Sequence, residues 1–250
     1  MYYFILEPTR NNSDKLFTER AKDLSRQFGI ASEINQSSPA RSAGELTQIA
    51  LMKNYSTIVA MGSENHINKV VREIMKAGAN HTCVLGIICT QGSSMLFEKW
   101  GFRRPEEAIE TLKQRRISKF DIGFIEPDIY FLTSAKIEPK NPVKFNIAVD
   151  QWSAEGIITR AEISSNLYIL LERLIKEKSV IRSALNIFGG KENSKYEHSI
   201  FKGKSVRIET IPKTSVYVGT EAVTKTPVLV YRKLSGLNII VKRDRILSES

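Results

Sequence analysis

The first half of this chain alternates between short apolar runs and amphipathic segments, and this alternation limits the possible folds more than any other feature. Each apolar run is rich in β-branched and aromatic residues, which predicts a strand. The predicted strands are residues 2–7, 30–34, 56–61, 83–88 and 120–126. Between them, apolar residues recur at helical spacing, so we predict a doubly wound α/β domain with a mostly parallel sheet and helices on both faces.

The second half has a different pattern, in which short β-rich runs are separated by turn residues. This pattern predicts an antiparallel, sandwich-like β domain. The runs lie at residues 143–150, 156–164, 205–211, 215–219, 227–231 and 237–242. Residues 167–175 fit either a helix or a strand, and residues 189–198 indicate a polar loop. Three prolines cluster between the halves, so we predict two domains, residues 1–128 and 129–250.

The positive charge is concentrated in the second half. Residues 1–128 carry 17 basic and 15 acidic side chains, whereas residues 129–250 carry 20 and 12, within a total net charge of +10. A basic surface favours anionic partners such as lipid headgroups, nucleic acid or phosphorylated substrates, although solubility alone is an equal explanation. The sequence shows no RNA- or DNA-binding motif, so only charge favours nucleic acid.

Cysteine content and hydropathy exclude two further classes. Two cysteines in 250 residues do not form a disulfide framework, and no window approaches the roughly 18 apolar residues of a membrane span, so a cytoplasmic location is expected. Cys83 and Cys89 are expected to be core thiols, with metal binding as the weaker alternative. Trp100 and Phe102, which lie beside two arginines, suit a packed helix end better than a membrane-surface anchor.

The most informative segment is residues 57–74, where an apolar strand leads through a loop of small residues into a helix. The free N–H groups and the dipole of a helix start can bind phosphate. Only Gly62 in this loop lacks a Cβ, although Asn65 tolerates a positive φ. Glu64 would repel a bare phosphate unless a Mg²⁺ lay between them. The bare pattern favours the alternative, an ordinary strand-to-helix turn.

The same segment resembles the glycine-rich signature of the diacylglycerol kinase, sphingosine kinase and NAD kinase superfamily, Gly-Gly-Asp-Gly-Thr followed by a Leu-Asn-Glu-Val-Val-like helix start. The five signature positions are occupied here by Gly62, Ser63, Glu64, Asn65 and His66. The continuation at residues 67–71 keeps the asparagine and the apolar pair. The resemblance implies that these five residues hold the phosphates of ATP, with Glu64 as a Mg²⁺-linked carboxylate in place of the family's aspartate.

Two other segments of the first half extend the resemblance. Residues 4–12 resemble the family's opening strand, with Glu7 in place of its asparagine. Ser38 stands for a hydroxyl that contacts nucleotide in the family. Residues 85–102 occupy the place of a further motif, but its Gly-Thr-x-Asn-Asp core is not recognisable here.

The second half resembles the closing strands of the lipid-kinase branch over residues 204–241, including Thr226-Pro227. The family's Asp-Gly-Glu triplet corresponds to Gly219-Thr220-Glu221, so the aspartate implicated as the base is a glycine here. Glu221 is then the surviving acid near the reacting hydroxyl. Asp150 is a second carboxylate at a strand end.

Taken together, the resemblance implies a nucleotide-binding domain (1–128), a substrate-side domain (129–250) and a cleft between them. The implied reaction is Mg²⁺-dependent phosphoryl transfer from ATP to a diacylglycerol-type lipid hydroxyl, catalysed by positioning and charge neutralisation. Because the motifs have changed at three places, the alternative is a non-catalytic lipid- or nucleotide-binding regulatory module. A third alternative is a NAD-kinase-like enzyme. The expected partner is an anionic membrane lipid, which would place the protein at the membrane periphery.

Overall fold

The computed structural model describes residues 1–9, 11–90, 95–175 and 195–242. In the first half the elements are β1 (Tyr2–Leu6), α1 (Asn12–Gln27), β2 (Ser32–Gln36), α2 (Ala43–Met52), β3 (Thr57–Gly62), α3 (Glu64–Lys76), a short 3₁₀ helix (Ala79–His81), β4 (Val84–Cys89), α4 (Met95–Trp100) and α5 (Pro105–Gln114). The remaining strands are β5 (Ile117–Ile125), β6 (Ile129–Phe131), β7 (Ser134–Ile137), β8 (Val143–Val149), β9 (Trp152–Ile158), β10 (Arg160–Ser164), β11 (Tyr168–Ile175), β12 (Lys195–Lys202), β13 (Ser205–Ile211), β14 (Ser215–Val218), β15 (Glu221–Lys225) and β16 (Val228–Ile240).

The first four strands form a parallel sheet in the order β2-β1-β3-β4. Every residue of β3 and β4 is buried, because helices cover both faces of the sheet. The apolar sides of α2 and α3 pack on one face, and those of α1 and α5 pack on the other. This arrangement confirms the predicted α/β fold class. Two apolar residues of the α1 segment stay outside this core, since Leu16 is 73% exposed and Phe28 is 37% exposed.

The fifth predicted strand does not continue the parallel sheet. The C-terminal strand β16 lies beside β4, with Asn238 opposite Val84 in parallel register. Most residues of β5 pair antiparallel with β16. Strand β16 also pairs with β13. The two strands predicted at 227–231 and 237–242 are therefore one long strand with an irregularity between Lys233 and Leu237. As a result, the sheet of the first half continues into β13, β8 and β9.

The second sheet is antiparallel and has the order β12-β11-β10-β7-β14-β15. Its apolar residues form a common core with those of β8, β13 and the first part of β16. Strand β8 shows the expected period of two, with alternate residues buried and outward-facing. The described residues therefore confirm the β-rich, sandwich-like second half.

Two ambiguous or misread segments belong to this second sheet. The stretch that fitted either a helix or a strand is the strand β11. Residues 195–198 lie in β12, so the prediction of a loop is wrong for these four residues. The remainder of that predicted loop, residues 189–194, lies outside the described residues.

Candidate functional site

The signature loop, residues 62–66, lies where the carboxyl end of β3 meets the start of α3. Ser63 is the N-cap of α3, and its Oγ accepts a hydrogen bond from the His66 N–H at 3.3 Å. Gly62 has a φ of 154°, and a Cβ at this position would lie 2.5 Å from Glu7 Cβ and 2.7 Å from Glu7 Oε2. Glycine is therefore required at position 62, because the side chain of Glu7 approaches the backbone closely.

The Glu7 carboxylate occupies the place where this loop would bind an anion. Its Oε2 accepts a hydrogen bond from the backbone N–H of Ser63 at 2.5 Å. The backbone N–H of Glu7 also donates to the Met61 carbonyl at 2.8 Å, which holds Glu7 beside the end of β3. A helix start favours negative charge, so the Glu7 carboxylate interacts favourably with the N-terminus of α3.

The sequence marked Glu7 as a departure from the family pattern but did not predict its contact with the signature loop. Its only sequence signal was the glutamate that stands where the family has asparagine. That difference changed a neutral side chain into an anion, but the sequence did not show that the carboxylate reaches a loop 56 residues away.

His66 is directed inward instead of toward a ligand. It is 5% exposed, and its Nε2 lies 3.1 Å from the carbonyl oxygen of Ile5. Burial lowers the pKa of His66, and the bond to Ile5 and the negative charge of Glu7 oppose this effect in part. The neutral imidazole therefore donates to the carbonyl group of β1 and braces α3 against the sheet.

The carboxylate of Glu64 binds a residue of the second half. It accepts a hydrogen bond from the hydroxyl of Thr133, a buried residue between β6 and β7. In the same region, Oδ1 of Asn68 accepts a hydrogen bond from the Leu132 N–H at 3.1 Å. Glu64 thus joins α3 to the β6–β7 connection, and this geometry does not favour the expected Mg²⁺-linked role.

Asn65 forms two hydrogen bonds with the turn that carries the changed triplet. Its Oδ1 accepts from the Thr220 N–H at 2.9 Å, and its Nδ2 donates to the Thr220 Oγ1 at 2.6 Å. Gly219 has a φ of 61°, and a Cβ on it would collide with Asn65 Oδ1. An aspartate at position 219 would therefore require the Asn65 side chain to move and to give up its bond to the Thr220 N–H. The two departures from the family pattern are structurally matched.

Glu221 follows this turn at the start of β15, and Lys69 of α3 forms an ion pair with it. Its Oε2 is 3.8 Å from the Nζ of Lys69, and both side chains are more than one-third exposed. An exposed pair of this kind contributes little to stability. The structure thus brings together the residues from Gly62 to His66 and the triplet that ends at Glu221.

Ser38 and Asp150 have other partners. Ser38 is exposed, and its Oγ accepts from the Arg41 N–H at 3.1 Å within the loop that follows β2. The Asp150 carboxylate accepts from the backbone N–H groups of Lys204 and Ser205 at 3.0 and 2.9 Å. These bonds lower the pKa of Asp150 and show that its carboxylate holds the β12–β13 turn.

A small cavity lies beside the signature loop. Glu7, Asp14, Gly62 and Thr90 are among the residues that line a cavity of ≈ 20 Å³. That volume corresponds to about one water molecule. Residues 91–94, which follow Thr90, lie outside the described part of the chain. Within the described part, no group of three or more His, Cys, Asp and Glu side chains could hold a metal ion.

The remaining sequence candidates are core residues. Cys83 and Cys89 are buried, and burial raises the pKa of Cys83 to about 11. Trp100 and Phe102 are 4% and 6% exposed, so they form a packed helix end and are not a membrane-surface anchor.

Comparisons with known proteins identify one matching family model and several solved structures with the same fold. The family model of the diacylglycerol kinase catalytic domain matches residues 2–125. A solved structure described as a diacylglycerol kinase from Bacillus anthracis str. Sterne is 14% identical, with a TM-score of 0.66 over 97% of both chains. A second structure from the same strain is 12% identical, with a TM-score of 0.70 over 98% of both chains.

The same fold also occurs in yeast NADH kinase, solved in complex with NADH. That structure is 8% identical, with a TM-score of 0.63 over 100% of this chain and 86% of that chain. No curated protein matches the sequence. Among the described residues, no helix is both long enough and apolar enough to cross a membrane.

Proposed function

Because this chain belongs to the superfamily of diacylglycerol kinases and NAD kinases, we propose that it is a non-catalytic member, a binding module that keeps the kinase fold. The observation that carries the proposal is the hydrogen bond from the Ser63 N–H to the Glu7 carboxylate. The chain supplies its own anion at the helix start, where a kinase of this fold would receive phosphate.

A nucleotide would have to overcome this internal anion. A phosphate at the helix start would lie against the Glu7 carboxylate, and two negative charges at close range repel each other. Moving the carboxylate away would instead break its bond to Ser63 and change its packing against Gly62. Either route weakens binding of a triphosphate at this loop.

The position of the base supports the same proposal. Gly219 supplies no carboxylate, and the Asn65 side chain lies where a Cβ at this position would be. Glu64, the acid nearest to this turn in the signature, is hydrogen-bonded to Thr133. Phosphoryl transfer depends on positioned charge and an oriented hydroxyl, so these changes remove what the reaction requires.

Titration calorimetry with Mg²⁺-ATP tests the proposal. We expect no binding by the unmodified protein at millimolar ATP. We expect Glu7→Asn to bind ATP measurably, because it removes the anion and restores the family's residue. Glu19→Gln, a change of an exposed glutamate on α1, is the matched control and should behave as the parent protein does. Binding of Mg²⁺-ATP by the unmodified protein below millimolar concentration would contradict the proposal.

An active lipid kinase is the second candidate, and one observation favours it. The two acids proposed for catalysis, Glu64 and Glu221, lie at the same end of α3, joined through the bonds between Asn65 and Thr220. In this candidate, ATP and Mg²⁺ would bind at residues 62–66, after Glu7 and Glu64 had exchanged their present partners. Radiolabelled ATP with diacylglycerol vesicles separates the two candidates. Phosphorylated lipid that disappears with Glu64→Ala would establish the kinase.

A further inference from the structure

A groove opens between the edges of the two sheets, away from the signature loop. Strand β9 is the last strand of the first sheet, and β12 is the edge of the second. The groove has a volume of ≈ 830 Å³ and is lined by residues 149–152 and by Ile200, Phe201, Lys202 and Lys204. None of these residues belongs to the site described above except Asp150, which was only a sequence candidate.

Two large apolar side chains of this groove are in contact with solvent. Trp152 is 74% exposed and Ile200 is 71% exposed, whereas the other tryptophan, Trp100, is 4% exposed. Trp152 pairs with Val149 across the turn between β8 and β9, at the end of the first sheet. Single exposed apolar residues are ordinary, but these two lie together in one groove.

Cationic side chains accompany the apolar ones. Lys202 and Lys204 are exposed, and Lys202 Nζ lies 4.9 Å from the centre of the Tyr168 ring. The acid of the groove, Asp150, directs its carboxylate to the Lys204 and Ser205 N–H groups. The groove therefore combines an indole, an aliphatic side chain and two ammonium groups, within the half of the chain that carries a net charge of +8 (20 basic minus 12 acidic residues).

We propose that this groove is where the protein docks on the surface of an anionic lipid bilayer. Tryptophan prefers the boundary between water and hydrocarbon, because its ring is apolar and its N–H is polar. Lysines beside it attract the phosphates of anionic headgroups. Trp152 and Ile200 enter the interface, and Lys202 and Lys204 contact the headgroups. This docking goes beyond the proposed loss of catalysis and holds whether or not ATP binds.

Tryptophan fluorescence with vesicles tests this surface directly. Because Trp100 is buried, a blue shift on adding vesicles of equal phosphatidylglycerol and phosphatidylcholine reports Trp152. We expect that shift, and its loss in Trp152→Phe. In co-sedimentation, we expect Trp152→Ala to weaken binding about tenfold, and Lys202→Gln and Lys204→Gln about fivefold each, with binding decreasing as salt rises.

Ile211→Ala and Lys213→Gln are matched controls. Both residues are exposed, and they lie at or beyond the far end of β13, whose near end follows the groove. These variants should bind vesicles as the parent protein does, and thermal melts of all variants should coincide. Equal losses in the controls, no binding, or binding that does not depend on anionic lipid would overturn the proposal. A blue-shifted Trp152 without lipid, together with a dimer in sedimentation velocity, would instead assign the groove to a second copy. The separate ATP titration keeps this outcome distinct from that of the proposed function.

Discussion

At the scale of single residues, the site is decided by which side chain reaches which backbone group. Glu7 binds the Ser63 N–H, and His66 binds the Ile5 carbonyl group. Polar groups at both ends of residues 63–66 therefore have hydrogen-bond partners within the chain. A histidine held neutral by burial adds a dependence of stability on pH. Because the pKa of His66 is lowered on folding, the unfolded chain binds the proton more readily.

Protonation of His66 in acid therefore destabilises the folded protein. The contribution of neutral His66 to the free energy of unfolding is fully present above the pKa of the unfolded chain, about 6.5. This contribution is lost as pH falls through the lower pKa of the folded protein. We expect the free energy of unfolding, measured in urea, to fall between pH 7 and pH 5 more steeply in the parent protein than in His66→Gln. The exposed His81→Gln variant is the control and should keep the parent slope. Equal slopes in the parent and His66→Gln would contradict the assignment.

At the scale of elements, α3 is the helix that joins the two halves. Its first two turns contact the β6–β7 connection through Glu64 and Asn68, and the β14–β15 turn through Asn65. The motif positions that would serve catalysis in the family here serve contacts between elements. We therefore expect that the effect of substituting Gly219 on stability depends on the residue at position 65.

A double-mutant cycle tests this dependence. Gly219→Asp should destabilise the parent protein by about 1–2 kcal/mol, because its Cβ meets Asn65 and displaces that side chain from Thr220, with a smaller cost for the positive φ. In the Asn65→Gly background the same change should cost at least about 1 kcal/mol less. Urea denaturation of the four proteins measures the coupling. Additive effects would show that the two positions are independent.

At the scale of the whole molecule, the end of the chain completes the sheet of the first half. Strand β16 pairs with β4, β5 and β13, so the parallel sheet and the β-rich half share a strand. Removing β16 would expose the buried edge of β4 and leave β5 without its main partner. The family match over residues 2–125 therefore covers a region whose packing uses residues from the other half.

A fragment of residues 1–128 tests this shared strand. We expect it to lack a cooperative thermal transition, because β5 and the edge of β4 have lost their partner. Co-expression with residues 129–250 should restore the transition, and the intact chain is the reference. A cooperative melt of the fragment alone, followed by circular dichroism, would contradict this expectation.

The sequence by itself determined the local features of this protein. The periodicity of the first half placed β1 to β4 and the helices between them, since burial of one face leaves a pattern within a few neighbouring residues. The resemblance located the signature loop at residues 62–66. The same local evidence left residues 167–175 undecided, because a short apolar run suits either a helix or a strand.

Only the tertiary structure decided what the loop contacts. Glu7 and Ser63 are 56 residues apart, and Asn65 and Thr220 are 155 apart, so no local pattern records their bonds. The same holds for β16 beside β4, and for exposure of Trp152 where Trp100 is buried. These features arise when distant segments meet, because burial, charge and steric fit at each position then depend on a partner chosen by the fold.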